Sequence, residues 1–161
     1  MGNRNTVAPV DAGTMADATR GVVRLSRQVE TTLGEFQSTV SQFRLLDRLS
    51  GGSAAGHSLA EWLAVKPPSI TALVDGLVAK GLVERTVDAA DRRRVTHELT
   101  PAGRDLHAAI SDALAARLAQ LVAFVGDDGR AADMIVVLAS WNHAIDLARD
   151  AKRAAKAEDP R

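Results

Sequence analysis

The segment ITALVDGLVAKGLVERTVDAADRRRVTHEL, residues 70–99, constrains the fold of this chain more than any other. Its first apolar residues are spaced by three or four, which predicts a short amphipathic helix. Gly81 is expected to end that helix, because glycine readily adopts the left-handed backbone conformation of a helix terminator. Residues 82–86 and 95–99 alternate and predict two strands, joined by a loop with three consecutive arginines. A short helix beside a basic β-ribbon is the arrangement of a winged helix-turn-helix.

Composition narrows the classes of partner that the chain can bind. The 161 residues suffice for one domain, or for a small domain with helical extensions. With 20 basic and 20 acidic residues the formal net charge is zero, so contact with nucleic acid must come from local basic clusters. The chain has three phenylalanines, two tryptophans and no tyrosine, which disfavours single-strand binding, where bases stack on aromatic side chains.

Cysteine and long apolar segments are both missing from the sequence. The absence of cysteine excludes a thiol redox switch, a disulfide framework and a cysteine-ligated metal site. No apolar segment approaches the roughly 18–20 residues needed to cross a bilayer. The first residues also lack the apolar centre of a signal peptide, so a cytoplasmic protein without a membrane partner is expected.

Helical periodicity continues on the N-terminal side of the 70–99 segment. Apolar residues spaced by three or four predict one helix over about 15–36 and another over 39–49. The sequence GGSAAG at 51–56 predicts a flexible connector without helix or strand preference. Ser58 and Glu61 have the spacing of a capping box, which predicts that a short helix starts there.

Two long helices are predicted on the C-terminal side. Thr100 followed by Pro101 is a helix start signal, and apolar periodicity continues to about Val125. The sequence GDDG at 126–129 separates this helix from a last one over about 131–153. The first helix and these two carry more apolar surface than a small winged-helix core can cover. We therefore expect a homodimer in which the terminal helices of two copies pack together.

These patterns predict a mainly α fold with a small two-stranded β-wing, in which a winged helix-turn-helix core is flanked by N- and C-terminal dimerisation helices. The expected organisation is a flexible tail at 1–13, a dimerisation helix at 14–38, a DNA-binding domain at 39–100, dimerisation helices at 101–153 and a tail at 154–161.

One face of the helix after the two prolines is predicted to read DNA. Its other face carries the apolar stripe Ile70, Leu73, Val74 and Leu77, which is expected to pack on the preceding helices. The amides at a helix N-terminus attract phosphate, and small polar side chains can contact base edges. The candidate DNA-binding residues of this segment are Lys66, Pro68, Ser69, Thr71, Ala72 and Asp75.

The arginine-containing loop is the second candidate DNA-binding segment. Arg92, Arg93 and Arg94 are expected to bind phosphates or to enter a narrow minor groove, where the potential is most negative. Asp88 and Asp91 are expected to pair with neighbouring arginines and to stiffen the loop. A carboxylate at a DNA surface is repulsive unless it is paired in this way.

Residues 39–107 resemble a MarR-type (multiple antibiotic resistance regulator) winged-helix domain, and the flanking helices resemble the dimerisation region of that family. The resemblance is carried by PPSITALVDGLVAKGLVER, DAADRRR and HELTPAGR. It implies a transcriptional regulator, most simply a repressor, that binds a pseudo-palindromic operator in double-stranded DNA as a two-fold dimer. It also implies base-reading positions at Ser69, Thr71 and Ala72, and the acidic and basic wing positions at Asp91 and Arg93.

The chain departs from the family pattern in the helix. Ala72 and Gly76 stand where an arginine is common in the family, so more of the binding is expected from the wing. Many relatives are released from DNA by aromatic acids or other small ligands. The resemblance therefore also implies a small aromatic or anionic effector, although no residue of a ligand pocket is indicated. No cofactor is expected.

Two other functions stay open at this point, and an enzyme is not expected. The histidines His57, His97, His107 and His143 lack the spacing of a paired metal site, and no serine lies in a nucleophile elbow. A metal-sensing regulator that uses His107 and His143 between the last helices is one alternative. The other is a winged-helix module that binds protein rather than DNA, which would leave the arginine loop without a role.

Overall fold

The structure, a computed structural model, describes residues 10–87, 95–125 and 129–158. Contacts divide the chain into two compact units, Met1–Leu114 and Ala115–Arg161. In chain order the elements are α1 (Ala12–Glu35), α2 (Val40–Ser50), β1 (Ala54–Ala55), α3 (Gly56–Leu63), α4 (Pro67–Ala79), β2 (Val83–Val87), β3 (Val95–Leu99), α5 (Pro101–Ala123) and α6 (Arg130–Glu158).

The first two helices begin at residues whose side chains accept hydrogen bonds from the first turn. The carboxylate of Asp11 accepts from the Thr14 amide at 2.9 Å, so α1 begins earlier than the periodicity predicted. At α2, Thr39 Oγ1 accepts from the Gln42 amide at 3.2 Å, and Gln42 Oε1 accepts from the Thr39 amide at 3.0 Å. This reciprocal pair is a capping box, and it fixes the start of α2 at Val40.

The predicted connector at 51–56 and the predicted capping box at Ser58 are both wrong. Ala54 and Ala55 form β1, which pairs antiparallel with β3, opposite His97 and Thr96. Pairing with β3 satisfies the backbone of these alanines, which have little strand preference of their own. Helix α3 then begins at Gly56, with Ala55 as its N-cap and without a side-chain cap, so Ser58 lies inside the first turn.

The sheet has three strands in the order β1-β3-β2, all antiparallel, and not the predicted two. The β2–β3 ladder runs from Val83 opposite Leu99 to Val87 opposite Val95. The C-terminal strand lies at 95–99 as predicted, whereas the preceding strand starts one residue later than predicted, at Val83. The mainly α fold with a small β-wing is confirmed, with β1 as an addition.

The core of the first unit lies between α2, α3, α4 and the sheet. Leu45, Leu46 and Leu59 are fully buried there. The apolar stripe of α4 also packs into this core: Ile70, Val74 and Leu77 are buried and Leu73 is half-buried. Because this stripe is held inside, the opposite face of α4 is directed to solvent.

The turn after α4 is held by Thr100. Gly81 has φ +69°, the left-handed conformation predicted for the helix end. Thr100 Oγ1 donates to the Gly81 carbonyl at 2.7 Å and accepts from the Gly103 amide at 3.0 Å. The same hydroxyl therefore caps α5, as predicted, and ties its start to the turn between α4 and β2.

In the second unit, the C-terminal part of α5 and the start of α6 border an apolar groove of about 370 Å³. Helix α6 continues to Glu158, so the tail predicted from 154 is wrong for residues 154–158. Large apolar side chains of this helix are exposed, among them Met134, Ile135, Val136, Val137, Trp141, Ile145 and Leu147. Among the described residues, no helix combines the length and apolar character that a bilayer crossing requires.

Candidate nucleic-acid interface

The start of α4 is set by Lys66 and the two prolines that follow it. Lys66 is the N-cap, and Pro67 and Pro68 occupy the first turn, where a fixed φ near −65° suits a helix. Prolines have no amide hydrogen, and the Ser69 amide is hydrogen-bonded to the Lys66 carbonyl at 3.0 Å. The expectation that backbone amides at this end attract phosphate is therefore not supported at these positions. An anion at this end would have to be held by side chains such as that of Lys66.

The outer face of α4 carries small side chains. Pro68, Ser69, Thr71, Ala72 and Asp75 are all exposed, as is Lys66 before them. Thr71 Oγ1 donates to the Pro67 carbonyl at 3.1 Å, which uses its proton inside the helix and leaves oxygen lone pairs free to accept. The structure thus places all six candidate residues of this segment on accessible positions around one helix.

An ion pair joins this face to the sheet, and sequence reasoning missed it. The guanidinium of Arg85 on β2 contacts the carboxylate of Asp75 on α4, and the two side chains are 43% and 53% exposed. Strand alternation puts Arg85 on the same face of β2 as the buried Val83, and this face packs toward α4. That alternation is the only signal in the sequence that could have indicated the pairing.

His97 on β3 is paired with Arg85, one partner of this ion pair, in the β2–β3 register. Its side chain is buried, and Nδ1 lies 3.3 Å from the Ala54 carbonyl of β1. Burial lowers the pKa of His97, and the Arg85 guanidinium lowers it further, against opposing effects of the Ala54 hydrogen bond and Asp75. His97 is therefore a neutral ring that donates to β1 and holds this strand to the sheet.

His107, one of the two histidines of the metal-sensing alternative, has local partners. Its ring stacks on Phe43 with the centroids 5.6 Å apart, and Nε2 lies 3.2 Å from Asp47 Oδ1. His143 belongs to α6, in the other unit. Within residues 10–87, 95–125 and 129–158, no group of three or more histidine or acidic residues is arranged to hold a metal ion.

The wing residues Asp88, Asp91, Arg92, Arg93 and Arg94 lie outside the described residues. What the structure describes is the base of the wing, where the ladder reaches Val87 and Val95, both exposed. Thr86 Oγ1 donates to Glu98 Oε1 at 2.9 Å across this ladder. The predicted contacts of the arginines stay predictions.

Comparison with known proteins agrees with this geometry. A family model described as the MarR family matches residues 37–94, a range that includes α2, α3, α4 and β2. The HTH-type transcriptional regulator MT0903.1 of Mycobacterium tuberculosis is 33% identical over 134 residues, which cover 80% of this chain and 94% of that protein.

Solved structures with the same fold extend the match over most of the chain. The MarR protein of E. coli superposes with a TM-score of 0.68 at 21% identity, covering 83% of this chain and 98% of that one. A mutant of S. aureus MepR bound to an oligodeoxyribonucleotide has a TM-score of 0.63 at 19% identity, with coverages of 85% and 99%. NadR in complex with 4-hydroxyphenylacetate has a TM-score of 0.62 at 23% identity, with coverages of 90% and 97%.

The match in sequence to a curated regulator over nearly its whole length, together with the family model and the shared fold, is decisive. This chain belongs to the MarR family of DNA-binding, winged helix-turn-helix transcriptional regulators.

Proposed function

We propose that this protein is a homodimeric repressor that binds a pseudo-palindromic operator in double-stranded DNA. The observation that carries the proposal is the outer face of α4, whose small polar and apolar side chains are exposed over a fully packed core. B-DNA has a major groove about 12 Å wide that admits an α-helix, and small side chains allow close approach to base edges. In this proposal α4 occupies the major groove.

Division of the binding energy between helix and wing follows from the residue types. Ser69 and Thr71 can hydrogen-bond to base edges, and Ala72 can contact a thymine methyl group. Lys66 and the wing arginines Arg92, Arg93 and Arg94 would bind phosphates, with Asp88 and Asp91 holding the wing arginines in place. Since no arginine stands at 72 or 76, the helix sets register and a modest base preference, while the wing supplies much of the affinity.

Dimerisation is supported by apolar surface on the terminal helices. Trp141 of α6 is 56% exposed, and further apolar side chains of α6 and α1, including Ile145 and Val22, are exposed as well. Monomeric proteins rarely leave large contiguous apolar patches open to water. A two-fold pairing of 14–38 and 101–153 with a second copy would cover these side chains and present two copies of α4 to successive major grooves.

We also propose that a small ligand releases the protein from DNA. The solved complex of NadR with 4-hydroxyphenylacetate shows that a protein of this fold takes up an aromatic acid. We therefore propose a small aromatic or anionic effector for this chain too, without assigning residues to its site.

The proposal is tested by selecting fragments of the source genome that the purified protein retains, and sequencing them. We expect enriched fragments to share an inverted repeat whose half-site centres lie about 10 base pairs, or a multiple of this, apart. Two protomers should bind each duplex in sedimentation experiments. Enrichment of no sequence at all would contradict DNA recognition and favour the protein-binding alternative. One protomer per duplex would contradict the dimer.

A further inference from the structure

We infer that Arg85 binds a DNA phosphate in the operator complex, and that Asp75 positions its guanidinium for that contact. This inference rests on the proposed function, because it assigns a further role within the same interface. It adds the Arg85 guanidinium, which belongs to the sheet, to a proposed DNA-binding surface that otherwise consists of α4 and the wing.

The geometry places Arg85 beside the outer face of α4, here called the reading face, which carries Ser69, Thr71 and Ala72. Asp75 follows Thr71 by four residues, so the two lie on the same side of α4. The Arg85 guanidinium contacts Asp75 Oδ1 and yet stays 43% exposed. A guanidinium carries five N–H donors in a rigid fork, so one carboxylate contact leaves donors for a second anion.

The position along α4 suits a phosphate contact. Asp75 comes nine residues after Lys66, which at about 1.5 Å per residue separates the two by roughly 14 Å along the helix axis. A helix seated in a major groove about 12 Å wide has a phosphate backbone on either side, so cations at both ends of its exposed face can reach phosphates. Lys66 and the Arg85 guanidinium thus supply positive charge near the two ends of the reading face, within reach of the backbones that border the groove.

A purely structural role explains the pair less well. Exposed ion pairs contribute little to folding stability, because water screens both charges and ordering two side chains costs entropy. The neighbouring His97 is buried and neutral, and it hydrogen-bonds to Ala54, so it does not compete for the Asp75 carboxylate. An unpaired carboxylate on this face would repel phosphate, whereas the pair removes that repulsion and aims the arginine.

The test measures binding of a fluorescent operator duplex by anisotropy from about 50 to 200 mM KCl. Removal of one phosphate contact lowers the slope of log affinity against log salt by about 0.9, so Arg85→Ala should lower the slope of a dimer by about 1.8. The affinity ratio of wild type to Arg85→Ala should then shrink about twelvefold across this range. Arg85→Lys, which keeps the charge, should keep the wild-type slope.

Asp75→Asn separates positioning from charge. It leaves the arginine in place but loosens it, so we expect a slope between those of wild type and Arg85→Ala, with similar losses of affinity for operator and random duplex. Arg130→Ala, which removes the same charge from the exposed start of α6, is the matched control: it should leave the slope unchanged, with sedimentation checking that it is still a dimer.

The outcomes are separable. Wild-type protein that binds no duplex refutes the proposed function itself. Wild-type binding with an unchanged slope in Arg85→Ala overturns the phosphate contact, and a wild-type slope in Asp75→Asn overturns the positioning role. Circular dichroism checks folding. If Arg85→Ala does not fold, Arg85→Gln against Arg85→Lys replaces it, with the same expected difference in slope.

Discussion

The main chain of Gly103 lies against the main chain of Leu82, and a Cβ added at Gly103 would lie 2.0 Å from the Leu82 carbonyl oxygen. The first turn of α5 thereby touches the residue that precedes β2. The Thr100 amide also donates to that carbonyl, at 3.1 Å. Glycine is required here because the partner is backbone, which cannot rotate away as a side chain can.

Gly103→Ala should therefore destabilise the protein strongly. Overpacking in a core costs about 1–3 kcal/mol, and a clash with backbone belongs at or above the upper end of that range. Gly76→Ala is the matched control, since outside the neighbouring backbone of its own helix no heavy atom lies within 4 Å of its added Cβ. In urea unfolding, this control should be stabilised by up to about 1 kcal/mol. Equal unfolding midpoints for the two variants would contradict the assigned contact.

An arginine introduced at Gly76 should strengthen DNA binding. The position is exposed and unobstructed, and an arginine is common there in the family that this chain resembles. If each protomer gains one phosphate contact, the salt slope of operator binding should steepen by about 1.8 for the dimer. Gly76→Gln, of similar length without charge, should keep the wild-type slope. A slope unchanged by Gly76→Arg would mean that this turn of α4 does not face DNA.

Replacement of the wing arginines should weaken binding to every duplex sequence. Phosphate contacts carry no base information, so Arg92→Ala with Arg93→Ala should lower operator and random-duplex affinity alike. The slope against salt should fall by about 0.9 for each phosphate that is no longer bound. Arg130→Ala serves again as the charge-matched comparison. A decrease in affinity confined to the operator would instead assign these arginines to base recognition.

Stability should fall in mild acid because of His97. Its pKa in the folded protein lies below the ordinary value of 6.5, mainly through burial, so below about pH 6.5 the unfolded chain binds more protons. The free energy of unfolding should thus decrease as pH falls below about 6.5 and level off below the folded-state pKa. The charged groups that act on His97 are Arg85 from β2, which lowers its pKa, and Asp75 from α4, which raises it.

Urea midpoints from pH 5 to pH 8 measure this dependence. His97→Gln should flatten it, since glutamine keeps an N–H donor for Ala54 without titrating in this range. His57→Gln changes an exposed histidine and should leave the dependence as in wild type. Parallel pH curves for all three proteins would exclude His97 as the source.

The oligomeric state should depend on the exposed apolar side chains of α6. Trp141→Glu places a charge where the proposed dimer needs an apolar contact, so sedimentation should show monomers at micromolar concentration. Asn142→Glu adds the same charge at the next residue, which is polar and exposed, and should stay dimeric. Dimers in both variants would move the interface away from Trp141.

Elements with strong local signals were predictable from the sequence. Strand β3 has the predicted bounds because its apolar residues alternate between turn signals. Helix α4 was correctly located because prolines begin it and Gly81 ends it, and its apolar stripe is buried as expected. In these segments local preference and tertiary packing favour the same structure, which is the condition under which sequence patterns are reliable.

The remaining features depend on contacts between distant segments. Ala54 and Ala55 form a strand only because β3, far along the chain, offers hydrogen-bonding groups. The Asp75–Arg85 ion pair requires the packing of α4 on β2, and the close approach at Gly103 requires that of α5 on the turn before β2. The sequence already contains the two prolines that remove amide donors from the start of α4. The prediction of an anion site there considered only the polarity of the helix and not this loss of donors.

The two-residue strand β1 also has a consequence for self-association. An uncovered strand edge is a template for pairing with a foreign chain, and proteins protect such edges with short strands or charged side chains. β1 covers part of the outer edge of β3, while β2, the opposite edge strand, carries Glu84 and Arg85. Both edges of the sheet thus disfavour amyloid-like strand addition. This protection would matter most if two wings were held close together on one stretch of DNA.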